Sequence, residues 1–151
     1  MQPTDEVVKL APQTNEALKK LGWKWDPKVG DWCIWSGGLH LVMGKPFYRD
    51  DYDGGMRPGQ GGLWVNCRSV EQTIDIMHRV ENCTPILRWE DDIEPALEGL
   101  GYWLDTPEKL CDKQEYEVVI WTKKRGILGY GQTRQESVMR AVIKLAEEVG
   151  K

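Results

Sequence analysis

Apolar positions recur along this chain with two periods, and each change of period marks an element. Near the C-terminus Val138, Ala141, Val142, Leu145 and Val149 fall at i, i+3, i+4, i+7 and i+11, one face of a helix that must lie on a sheet. Thr133 is placed to cap this helix, and Glu136 three residues later completes a capping box. Upstream, Tyr116 to Trp121 reads as a strand and Ile127 to Tyr130 as its return, with Lys123-Lys124-Arg125 at the solvated tip. Ile93, Ala96, Leu97 and Leu100 form the stripe of another helix, which has Pro95 in its first turn and stops at Gly101. Thr106 to Glu115 reads as a charged connector. In the middle, Ser69 and Gln72 make a capping box for a helix to Val80 that buries Val70, Thr73, Ile74, Met77 and Val80.

The N-terminal third is organised around tryptophan. Val7, Val8 and Leu10 are cut off by Pro12, so residues 1–13 are expected to be a frayed N-terminal segment, a turn or a short helix, before the domain proper. Thr14 or Asn15 then caps a helix to Leu21, with Gly22 as its stop. A strand with Trp23 and Trp25, a Pro27-to-Asp31 turn and a strand Trp32 to Trp35 follow. Both faces of that last strand are apolar, so it is expected to be covered on both sides or to sit centrally in its sheet. Ser36-Gly37-Gly38 turns into a strand with Leu39, Leu41 and Met43 on one face and His40 on the other, and Leu63 to Cys67 reads as a further strand. Residues 44–62, rich in glycine, are expected to form a long loop.

This order predicts an α+β fold, an antiparallel sheet layered with helices as a sandwich, in a single domain over residues 14–151. The chain also echoes itself. ALKKLGWKWD at 17–26 lines up with ALEGLGYWLD at 96–105, as an internal duplication of a helix–strands–helix unit would give.

Composition narrows the function. Eight Trp, five Tyr and one Phe in 151 residues favour half-buried aromatic surfaces and clefts. A net charge of −4 argues against phosphate-backbone binding as the main activity, so nucleic acid is not the expected partner; Lys123 to Arg125 are the local exception. No apolar run has the length of a membrane span and the N-terminus lacks a signal-peptide pattern, so a cytoplasmic protein without a membrane partner is expected. Cys33, Cys67, Cys83 and Cys111 are scattered without a C-x-x-C pair, and they read as reduced thiols. Asp50, Asp51 and Asp53 lack the spacing of a calcium loop, and neither a metal nor a cofactor is expected.

Trp121, Gly129, Gly131 and Thr133, followed by Ser137-Val138-x-Arg140-Ala141-Val142-x-Lys144-Leu145, resemble the closing segment of the phage ABA-sandwich domain, a family of small phage and prophage proteins. Leu21-Gly22-Trp23-Lys24 resembles the opening motif of that family. The resemblance covers about two thirds of the chain in pieces; the glycine-rich loop and residues 83–114 look like additions. It implies the layered α+β fold and a viral origin, hence a host cytoplasm as the expected location, and it brings no catalytic residues with it.

No nucleophile elbow, phosphate loop or acid–base pair is visible in sequence, and the two histidines have no partner within sequence reach, so a non-catalytic binding protein is expected. One form captures a nucleotide-derived defence signal. The candidates are Trp23, Trp25 and Trp35 to stack a base, Arg49, Arg57 and Arg134 to meet phosphate, and the amides around Thr133. A second form binds a host protein through the tryptophan-rich face, and a third is a nucleic-acid module resting on Lys123 to Arg125. The oligomeric state is left open.

Overall fold

A computed structural model describes residues 3–35, 37–43, 64–68, 75–80 and 83–150. The expected loop at 44–62, with Arg49 and Arg57, lies outside them. The elements are α1 (Asp5–Lys20), β1 (Trp32–Trp35), β2 (Gly38–Met43), β3 (Trp64–Arg68), β4 (Asp75–Arg79), β5 (Thr84–Ile86), a π-helical turn (Trp89–Ile93), α2 (Glu94–Gly99), β6 (Trp103–Leu104), β7 (Glu108–Lys109), β8 (Tyr116–Trp121), β9 (Gly126–Gly131) and α3 (Arg134–Val149). This is an α+β fold of helices and antiparallel sheets. Where the sequence pattern predicts one body over 14–151, the packing divides the chain into two compact units, residues 1–25 with 86–151, and residues 26–85.

In the first unit, β8 is the spine of a four-stranded sheet. The short strands β6 and β7 pair with its two ends, and β9 runs antiparallel along its whole length. Helix α3 lies on β8 and β9, and α1 packs along α3. The contact between α3 and β9 is close because Gly129 and Gly131 face the helix without side chains. A Cβ on Gly129 would stand 2.5 Å from the Ala141 Cβ, and one on Gly131 would stand 2.6 Å from the Ser137 nitrogen. Val138, Ala141, Val142 and Leu145 are completely buried, as the stripe requires, whereas Val149 at the last turn is exposed. On another side of α3, Ile143 and Ala146 line a groove of about 330 Å³ with Pro12 and Ala17 of α1.

Helix α1 begins nine residues before the expected cap. Thr4 is the N-cap, its hydroxyl accepting from the Val7 amide at 3.3 Å, with Asp5 and Glu6 in the first turn and Lys19 and Lys20 in the last. Residues 5–13 are therefore helical and continuous with the following residues in one helix, not a frayed or separate segment ended by Pro12. Pro12 sits inside the helix, where a proline ordinarily costs about 3 kcal/mol. Burial of Val7, Leu10 and Ala11 before it and Ala17 and Leu18 after it outweighs that cost. Thr14 and Asn15 are buried within the helix. The Thr14 hydroxyl donates to the Leu10 carbonyl at 2.9 Å, and the Asn15 Oδ1 is buried without a hydrogen-bond partner among the described residues.

The two echoing decapeptides fold alike where they match. The amides of Leu21, Gly22 and Trp23 bond the carbonyls of Ala17, Lys19 and Leu18, and those of Leu100, Gly101 and Tyr102 bond those of Ala96, Glu98 and Leu97. Gly22 and Gly101 have φ of +101° and +90°, the left-handed geometry that lets glycine end a helix. The two turns meet, with the Leu100 side chain beside Gly22. The likeness does not extend to the flanking elements. Trp23 and Trp25 stand in residues 23–28 without a strand, while Trp103 and Leu104 form β6. The helix expected to close the first copy is, over its last part, the strand β4.

In the second unit the strand order is β4-β3-β2-β1-β5, so β1 is interior, as its two apolar faces require. Its register with β2 runs from Trp32↔Leu41 to Trp35↔Gly38. Among the described positions of these two strands the buried ones are Cys33 and Val42, while Leu41, on the face opposite His40, is exposed. Residues 75–79, expected as the C-terminal part of a capped helix, pair with β3 from Arg68↔Asp75 to Trp64↔Arg79. A short apolar run with a helical stripe also fits a strand, and pairing with β3 satisfies its backbone without the intrahelical bonds. Residues 69–74, which carry the expected capping box, lie outside the described residues.

Gln135 fastens the π-helical turn to α3. Its side-chain oxygen accepts from the Trp89 amide at 2.9 Å and its nitrogen donates to the Leu87 carbonyl. Within the expected connector, Glu108 and Lys109 form β7 by pairing with Glu117 and Tyr116.

Candidate ligand-binding face

Alternation along β8 sends Val118 and Ile120 into the core and places Glu117, Val119 and Trp121 on the opposite face of the sheet. Register does the same for β6: Leu104 lies opposite Ile120 in the core, and Trp103 lies opposite Trp121 outside. The two indoles are 64% and 47% exposed, which is unusual for the largest apolar side chain, and they adjoin each other across the strands.

They are held there by Asp105. Its amide donates to the Val119 carbonyl at 3.0 Å, which fixes the backbone beside β8. Its carboxylate accepts from both rings, from the Trp103 Nε1 at 3.2 Å and the Trp121 Nε1 at 2.7 Å. One carboxylate thus consumes both indole donors and orients both rings. Gly126, opposite Trp121 on β9, leaves room for the ring: a Cβ there would stand 3.1 Å from its Cζ3 and 2.8 Å from the Val119 Cγ1. What these two side chains still offer is π-surface.

The face is electrically polar along its length. Beyond Trp121, the Thr122 hydroxyl accepts from the amides of Lys124 and Arg125 at 3.1 and 3.0 Å and donates to the Arg125 carbonyl at 2.9 Å, which makes the tip a built turn. Arg125 is paired with Glu148 of α3. Lys123 and Lys124 are exposed and make no ion pair among the described residues. At the other end Glu108 lies opposite Glu117, and Glu117 lies opposite Tyr130. The Tyr130 hydroxyl is hydrogen-bonded to Glu117, and that bond, with some burial and the charges of Glu117 and Glu115, raises the phenol above its ordinary range. Lysines therefore mark one end of the aromatic pair and carboxylates the other.

Among the described residues, those singled out from sequence do not gather here. Trp23 and Trp25 are half-buried after α1, and the Trp23 amide closes that helix on the Leu18 carbonyl. Trp35 is in the other unit, edge-on to His40 with ring centroids 5.8 Å apart. Thr133 and Arg134 do start α3. The Thr133 hydroxyl accepts from the Glu136 amide at 3.2 Å, and the buried Glu136 carboxylate accepts from the Gln132 amide at 3.0 Å. An anion approaching these amides would meet that carboxylate, so the helix start is occupied by the protein's own acid. The Arg134 guanidinium lies 5.5 Å from the Tyr116 ring centroid.

Trp103, Trp121 and Asp105 carry the site and were not singled out. One signal was available: Glu117, Val119 and Trp121 alternate with the apolar core positions of the clearest strand. Nothing local showed that Trp103 would be its partner.

A second cluster lies in the other unit. Cys33, completely buried on β1, is hydrogen-bonded to Cys83, which precedes β5. Burial, then Cys83 and then Asp31 push the Cys33 thiol up to about 12, and burial raises Cys83 against the opposing effect of that hydrogen bond. No group of three potential metal ligands occurs among the described residues.

Compared with known proteins, the chain matches no family model, no curated protein and no solved structure.

Proposed function

We propose that this is a non-catalytic binding protein that holds a nucleotide-type ligand on the outer face of its four-stranded sheet. The observation that carries this reading is the pair of exposed indoles, Trp103 and Trp121, fixed by one carboxylate. Leaving two tryptophans in water forgoes hydrophobic stabilisation, and a planar ligand restores it; stacking a base on an aromatic ring contributes about 1–3 kcal/mol. The rings are already oriented by Asp105, so little side-chain entropy is lost on binding. Lys123 and Lys124 supply charge for a phosphate at one end. Asp105 accepts one indole N–H on each carboxylate oxygen, which positions both rings for a stacked ligand.

Together with the resemblance to phage ABA-sandwich proteins, this ligand class favours capture of a nucleotide-derived defence signal in a host cytoplasm. Thermal shift and calorimetry with AMP, ADP-ribose and cyclic dinucleotides test it. At least one should raise the melting temperature by several degrees at about 100 Kd of free ligand. It should be recovered chemically unchanged, and Trp121→Ala should abolish the shift. No shift from any member, or turnover of a bound one, would overturn the reading.

A further inference from the structure

We propose that the indole pair takes two successive nucleobases joined by a phosphodiester, one base on each ring. This rests on the nucleotide reading above and deepens it. Trp103 and Trp121 are directly opposed on neighbouring strands, where β-carbons stand about 5 Å apart. A single base clamped between parallel rings needs about 7 Å between them, twice the usual atomic contact distance. Both N–H edges are also drawn to one carboxylate, so the rings stand side by side on an open sheet and do not form a slot. Adjacent aromatics on the open face of a four-stranded sheet with helices behind it stack consecutive bases.

Charge then orients the ligand. Trp121 leads directly into the turn that carries Lys123 and Lys124, so the phosphates run on that side. Asp105 at the ring edges and Glu108 and Glu117 beyond them repel phosphate from the rest of the face. On β9 the outward positions beside Trp121 and Val119 are Gly126 and Leu128, so among the described residues no third ring adjoins Trp121 in this row, and Tyr130 farther along is engaged by Glu117. A free dinucleotide and a stretch of single-stranded nucleic acid present the same chemistry.

The test uses the full chain and follows tryptophan fluorescence and calorimetry. The probes are AMP, linear pApA, cyclic di-AMP and an adenine oligonucleotide of about eight residues, a length within the site sizes of single-strand binders. The dinucleotide unit should bind at least about tenfold more tightly than AMP, the increment expected of a second stacked base. Trp103→Ala should remove that advantage, so that AMP and pApA bind alike, and Trp103→Phe, which keeps a π-face without the N–H, should restore most of it. Replacing Lys123 and Lys124 with alanine should weaken binding and reduce the salt slope by about one to two. Melting curves of each variant separate lost folding from lost binding.

Tight binding of cyclic di-AMP with little gain from the oligonucleotide identifies a free dinucleotide as the source. The reverse identifies a single strand. Equal affinity for AMP and the dinucleotides would overturn the two-base inference and leave the nucleotide reading standing, whereas no binding of any probe would overturn both.

Discussion

Replacing Gly129 with alanine tests how α3 is held on the sheet. The added Cβ would collide with the Ser137 carbonyl oxygen and stand 2.5 Å from the Ala141 Cβ and 2.7 Å from the Ala141 nitrogen. Two of these three are backbone atoms and the third is a Cβ, so no rotamer change relieves the contact. Ordinary contact begins at 3.4 Å, so α3 must retreat by roughly 1 Å from β9. That retreat loosens Val138, Val142 and Leu145, each 0% exposed. Overpacking alone costs about 1–3 kcal/mol, and the loss of close packing under three aliphatic side chains brings the expected cost to about 3 kcal/mol or more. For a chain of this size that lowers Tm by roughly 6–12 °C. Urea denaturation followed by far-UV circular dichroism, with a thermal scan, measures it. Gly99 in α2 is the control: nothing lies within 4 Å of its added Cβ and its φ is not positive, so Gly99→Ala should be neutral or stabilise by up to about 1 kcal/mol. A Gly129→Ala protein within about 0.5 kcal/mol of the parent would refute the close-packing argument. Equal losses in the two variants would do the same.

Other outcomes follow from the same contacts. Thr133→Ala should cost about 1 kcal/mol and speed amide exchange in the first turn of α3, with Thr133→Ser retaining most of the stability. Gln135→Ala leaves the Trp89 amide and Leu87 carbonyl without their partner and should cost about 1–3 kcal/mol; Gln135→Glu, which keeps the acceptor and loses the donor, should not restore the parent's stability. The Cys33 thiol is raised in the folded protein from 9.0 to about 12, so the folded state keeps a proton that the unfolded state releases. Its contribution is complete below pH 9 and is lost as pH rises toward 12, by an amount on the order of 4 kcal/mol. Urea titrations at pH 8 and about pH 10.5 should therefore show a steeper loss in the parent than in Cys33→Ala; parallel losses would sink this account.

Much of the architecture can be read from short windows of sequence. Thr133 and Glu136 mark the start of α3, and its buried stripe falls at the helical period. Gly22 and Gly101 end their helices in the same left-handed turn, which ten matching residues had indicated. Tyr116–Trp121 and Ile127–Tyr130 read as a hairpin because an apolar run, a basic turn and a second run follow in order, and the structure extends the second strand by one glycine at each end. The misreadings came where two local signals competed. Pro12 reads as a stop, but buried apolar residues on both sides carry the helix through it. Residues 75–79 have an apolar pattern compatible with either period, and pairing with β3 decided for strand.

Local chemistry therefore determined the caps, the glycine turns and the periods, because each depends on neighbours within a few residues. The tertiary structure alone decided which aromatics form a surface. Trp103 and Trp121 are separated by a connector and brought together by the register of β6 on β8, and Asp105 joins them only once that register is set. Register is fixed by which face of the sheet is buried, here by Leu104 and Ile120 entering the core, and burial of that kind is a property of the packed molecule.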